Sequence, residues 1–141
     1  MTLLKDLREQ RNRAPEELAT IAGINLPSYY DLEDRQDELE YGVDVGVVAR
    51  LAKELAIKPS AFYGGESKDA VSIDDLAARV RDHLARTGDS LADFEEQVGW
   101  EVADALANPA QFSGYPADAL RDICNGIGVN WFDVLDHLED K

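Results

Sequence analysis

Residues Glu16 to Glu33 read EELATIAGINLPSYYDLE. Leu18, Ala19, Ile21 and Ala22 put one apolar face on a first short helix, and Tyr29 and Leu32, three apart, put one on a second. Between them Gly23 can supply the left-handed backbone of a helix C-cap, and Asn25 offers a side-chain oxygen to the N–H groups that open the next helix. The spacing predicts helix, tight turn, helix.

The same reading extends in both directions. Upstream, Thr2 caps a helix over Leu3 to about Gln10 whose inner face is Leu3, Leu4 and Leu7. Pro15 suits the first helical position of the next helix, with Glu16 and Glu17 at the positive end of its dipole, while Ala14 before it has no oxygen to offer as a cap. Downstream, residues 34–44 (DRQDELEYGVD) read as an acidic loop. Asp44 then caps a helix to Ala56 in which Val47, Val48, Leu51, Ala52 and Leu55 recur at three and four. Lys58-Pro59-Ser60 turns the chain into a short fifth helix carrying Phe62 and Tyr63.

Gly64 to Asp69 has the composition of a hinge. Ser72 with Asp75, and Ser90 with Asp93, then carry the signature of helix N-termini. From there the pattern repeats. Leu7, Leu18 and Gly23 find counterparts in Leu84, Phe94 and Gly99, and Leu51-Ala52, Leu55 and Ile57 in Ile123-Cys124, Ile127 and Val129. Pro59 and Phe62 fall opposite Trp131 and Val134. The second copy's third helix, from Trp100, should stop at Asn108-Pro109. The expectation is an all-α chain of about ten short helices in two tandem five-helix units, residues 1–63 and 72–141, joined by a linker at 64–71.

The stretch quoted first resembles the Cro/lambda-repressor helix-turn-helix family, the XRE type, over Leu3 to Tyr63, with a degenerate second copy from Ser72 to about Leu138. The resemblance implies that the third helix lies in a DNA major groove and presents its first turns to base edges. The matching residues able to donate are Asn25, Ser28 and Tyr30, with Arg8, Arg11, Arg13 and Arg35 as candidates for phosphate contact. Two features depart from the family. Pro15 stands where the family commonly places a phosphate-anchoring Gln, and Asp31, Glu33, Asp34, Asp37, Glu38 and Glu40 crowd the surface that should face the phosphate strand. In the second copy the equivalent surface is Glu101, Val102, Ala103 and Asp104, without a basic residue.

Net charge points the same way. The 141 residues hold 14 Lys and Arg against 29 Asp and Glu, a formal charge of −15. Residues 1–65 carry 8 basic and 12 acidic side chains and residues 66–141 carry 6 and 17, leaving −4 and −11. Nucleic-acid affinity comes largely from neutralised phosphates, which such a chain repels at long range. The acidic residues read either as a solvated face or as a docking surface for a basic protein. Trp100, Phe112 and Tyr115 are aromatic candidates for a dimer or partner contact, or core residues.

Little points to catalysis or to a cofactor. His83 and His137 stand alone, and the adjacent pairs Glu95-Glu96 and Glu139-Asp140 do not converge on one point. Asn125-Gly126-Ile127-Gly128 lacks the strand and Lys of a phosphate loop. No apolar run approaches the roughly 18 residues of a membrane span, and a single cysteine, Cys124, suits a reducing cytoplasm. Two functional expectations stay open. One is a non-enzymatic regulatory protein acting mainly by protein contact, in the manner of an antitoxin, immunity protein or anti-regulator, with a basic protein partner. The alternative is an operator-binding transcriptional regulator that works as a homodimer.

Overall fold

A computed structural model of the chain describes residues 2–35 and 37–138. Glu139 and Asp140, with the end of the expected second unit, lie outside the described residues. All regular structure among the described residues is helical: α1 (Leu3–Gln10), α2 (Pro15–Ala22), α3 (Leu26–Asp34), α4 (Glu38–Tyr41), α5 (Val45–Glu54), the 3-10 helix η1 (Pro59–Tyr63), α6 (Ile73–Thr87), α7 (Leu91–Val98), α8 (Ala103–Ala107), the 3-10 helix η2 (Pro109–Gly114), α9 (Ala117–Gly126) and α10 (Trp131–Leu135).

Local chemistry sets most of the boundaries. Thr2, Asn25, Asp44, Ser72 and Ser90 each accept the backbone N–H three residues on, at 2.8–3.2 Å. Gly23, Gly88 and Gly99 close α2, α6 and α7 in the left-handed conformation, at φ 76°, 76° and 82°. At α2 the cap is half made: Ala14 has nothing to accept with, but its own N–H donates to Glu17 Oε1 at 3.1 Å. That bond, ahead of the Arg13 side chain, holds the Glu17 carboxyl below its ordinary value.

The buried apolar residues form two clusters. One gathers Leu4, Leu7, Leu18, Tyr29, Leu32, Leu39, Val47, Val48, Leu51, Leu55 and Phe62 from α1 to η1. The other gathers Val71, Leu76, Val80, Phe94, Phe112, Leu120, Ile123, Trp131 and Leu135 from the rest of the chain, together with Val45 of α5. Tyr63 packs against both. The clusters are joined by α4 against α9, α5 against η2 and η1 against α10.

Four expectations are corrected. Residues 34–44 are not a plain loop: α4 forms there because Leu39 is fully buried and drags one turn of backbone with it. The fifth helix of the first half is a 3-10 helix, as is η2. Leu3 is exposed, since only Leu4 and Leu7 of α1 reach the core. Finally, the segment expected to be a hinge is strapped down. Asp133 Oδ1 accepts the N–H groups of Lys68 and Asp69 at 2.8 and 3.1 Å, the Asp133 carbonyl accepts Val71 N–H at 3.2 Å, and Val71 is buried.

Candidate functional site

The surface expected to read DNA is built by α3 and its neighbours. α2 packs on α5 and α3, and Arg50 of α5 donates to the Ala22 carbonyl at 2.9 Å, satisfying an open end of α2 just before the turn. Nothing in the sequence marked Arg50 for this, because its target lies 28 residues away. Asn25 is exposed, but its side-chain oxygen is committed to Ser28 N–H at 2.8 Å. Tyr30 is exposed and Ser28 half-buried.

Two of the four expected phosphate contacts, Arg8 and Arg13, are spent in ion pairs. Arg8 turns inward: its side chain is 13% exposed and pairs with Glu33, itself 3% exposed. Nε bonds Glu33 Oε1, Nη2 reaches Oε2 at 3.4 Å and Nη1 donates to the Arg13 carbonyl at 3.1 Å. Tyr29 hydroxyl donates to Glu33 Oε1 at 3.1 Å and Thr2 hydroxyl to the Glu33 carbonyl at 2.8 Å. The bond to Glu33, more than its charge, raises the Arg8 guanidinium above its ordinary value. Burial, and then the Glu33 charge, pushes the Tyr29 hydroxyl far up. Arg13 bridges Glu17 at 3.1 Å and Glu54 at 2.5 Å.

Two predicted roles are thereby corrected. Glu33 is no part of an acidic surface, and the Arg8 guanidinium is engaged by it rather than turned outward, because together they form a part-buried clamp between α1 and α3. Arg11 and Arg35 remain exposed.

What remains on the outside of α3 and α4 is acidic and aromatic. Asp31, Asp34 and Asp37 are exposed and Glu38 and Glu40 half-buried, beside Arg35. Tyr30 at 42% and Tyr41 at 55% are two of the most exposed large apolar side chains among the described residues. Tyr41 hydroxyl donates to Asp37 Oδ2 at 2.6 Å, which raises its own pKa.

The second-half aromatics are largely spent inside. Phe112 is fully buried, edge-on to Tyr115 with ring centres 5.8 Å apart, so it belongs to the core and not to a partner surface. Tyr115 hydroxyl donates to the Glu101 carbonyl at 2.5 Å, and its own carbonyl accepts Val45 N–H at 2.8 Å. Trp100 is half-buried, with Nε1 donating to Asp122 at 3.2 Å. Glu95, Trp100, Glu101, Asp104 and Tyr115 line an open cleft between α7 and α8. Burial and the Asp104, Glu95 and Glu101 charges, in that order, raise the Tyr115 hydroxyl.

Among the described residues, no group of three or more His, Cys, Asp and Glu is placed to hold a metal ion, and no helix is long and apolar enough to cross a membrane. Compared with protein-family models, curated proteins and solved structures, the chain gives no match.

Proposed function

We propose that this chain is a regulatory protein of the Cro/lambda-repressor type, two tandem helix-turn-helix units over residues 1–63 and 72–141, that acts by protein contact rather than by reading DNA. The observation that carries the proposal is the exposed face of α3 and α4, where Asp31, Asp34, Asp37, Glu38 and Glu40 stand with Tyr30 and Tyr41. Carboxylates steer a basic partner and exclude wrong ones, and a tyrosine face accepts Arg or Lys as well as apolar contact. The chain on this reading is a cytoplasmic binding protein, antitoxin-, immunity- or anti-regulator-like.

The operator-binding alternative draws on Asn25, Ser28 and Tyr30 at the exposed start of α3. It suffers from the loss of Arg8 to Glu33 and of Arg13 to Glu17 and Glu54. Each absent bidentate base contact removes about 1–3 kcal/mol of discrimination, and the missing phosphate contacts weaken the sequence-independent part as well.

The test is a titration of the full chain against a mixed double-stranded DNA pool, at low and then near-physiological salt. No retained fragment is expected at the higher salt; specific retention there would refute the proposal. A parallel titration with an Arg- and Lys-rich peptide, read by amide chemical shifts, should move signals from residues 30–41. It should fail once Asp34, Asp37 and Glu38 are changed to Lys, and shifts unchanged by that reversal would remove this surface from the proposal.

A further inference from the structure

The later parts of the two halves, residues 44–63 and 116–135, match at a separation of 72 residues in backbone detail as well as in pattern. α5 (Val45–Glu54) and α9 (Ala117–Gly126) differ by that shift at both ends, and so do η1 (Pro59–Tyr63) and α10 (Trp131–Leu135). The exits from α5 and α9 are the same turn. Ala56 N–H donates to the Lys53 carbonyl at 3.2 Å and Gly128 N–H to Asn125 at 3.3 Å, while Ile57 donates to Ala52 at 3.0 Å and Val129 to Cys124 at 2.9 Å. Both turns place their pivot residue at positive φ, 57° for Ala56 and 74° for Gly128. Ala56 holds that conformation at a cost a glycine would not pay.

The contacts between the halves obey a second rule. In a two-fold pairing, if one element touches another, their counterparts touch in return. α4 packs on α9, and their counterparts η2 and α5 pack on each other; η1 packs on its own counterpart α10. Asp44 forms an isolated antiparallel bridge with Pro116, the residue that stands 72 positions on. Two equivalent positions that meet antiparallel have a two-fold axis between them. Away from the axis, Ser60 donates from N and Oγ to Asp136 at 2.8 and 2.6 Å. On the return side Phe132, the counterpart of Ser60, lies against Gly65, within one residue of the counterpart of Asp136.

We infer that this polypeptide is a dimer folded into one chain: its halves pair about an internal two-fold through the α4–α5–η1 face of the first and the η2–α9–α10 face of the second. Each half is the partner of the other's self-pairing face. The pairing is closed, so the chain is a monomer and presents the α3–α4 surface once. The inference rests on the tandem-unit part of the proposed function and not on the nature of the partner.

Paired spin labels on the full chain test it. Under a two-fold, the distance from position 53 to 130 equals that from 58 to 125. The exposed residues Lys53, Lys58, Asn125 and Asn130 are changed to Cys in those two pairs, while Cys124 is buried and stays unlabelled. Pulsed electron resonance should return coincident distance distributions, and sedimentation of the unaltered chain should give the 15.6 kDa monomer at every concentration. Distributions separated by more than their own width would overturn the two-fold, and a chain that sediments as a dimer would overturn the closure. Neither readout involves a partner, so DNA retention would sink the proposed function and leave this inference standing.

Discussion

Removing the Glu33 carboxylate should be among the most damaging single changes to this protein. In Glu33→Ala the Arg8 guanidinium keeps its place between α1 and α3, with its side chain 13% exposed and no counter-charge. Breaking a buried pair from one side costs about 3–5 kcal/mol, and residual access to water at Arg8 puts the loss toward the lower end. The Tyr29 hydroxyl, fully buried, loses its acceptor too, which adds about 1 kcal/mol or more to the loss. Unfolding entropy near 2.1 cal/mol/K per residue gives a chain of this length roughly 0.3 kcal/mol per kelvin, so the midpoint should fall by about 10–15 °C. The assay is thermal and urea unfolding followed by circular dichroism, run beside Asp31→Ala and Asp34→Ala as exposed acidic controls. Those controls should stay within about 0.5 kcal/mol of the parent. Arg8→Met with Glu33→Leu and Tyr29→Phe should recover most of the loss, because well-packed apolar groups replace a buried pair at little cost. A Glu33→Ala variant as stable as the controls would refute the buried clamp and return Glu33 to the surface.

Three further outcomes follow from the geometry. Asp133→Ala should release the N–H groups of Lys68 and Asp69, accelerating their hydrogen exchange and costing about 1–3 kcal/mol; unchanged exchange would mean that the segment is held by something else. Burial pushes the Cys124 thiol up to about 12. A raised value means that the fold favours the neutral thiol, so this contribution is complete below the unfolded value of about 8.5 and lost as pH rises toward the folded one. Alkylation of the native chain in mildly alkaline buffer should therefore await unfolding, and prompt labelling would contradict the burial. Gly23→Ala has open space for its methyl but a backbone at φ 76°, so it should cost about 1–2 kcal/mol from conformation alone; a neutral or stabilising result in urea unfolding would show that the turn relaxes.

What the sequence determined by itself is what is local. The caps at Thr2, Asn25, Asp44, Ser72 and Ser90 act over three residues, and the left-handed glycines close the helix that precedes them, so all-α architecture and most boundaries were legible. Buried positions such as Leu51, Ala52, Ile123 and Cys124 announced themselves through helical spacing. Tertiary structure decided the fate of the polar groups and the aromatics. Glu33 looks like one more carboxylate in an acidic run, and its counter-charge, Arg8, stands 25 residues away. The strap at Lys68 and Asp69 depends on a carboxylate more than 60 residues on, and Phe112 and Tyr115 look like surface aromatics until η2 packs on α6, α8 and α5. A charge or a ring carries no local mark of its partner, because ion pairing and burial are set by distance in space, and distance in space is what tertiary packing supplies.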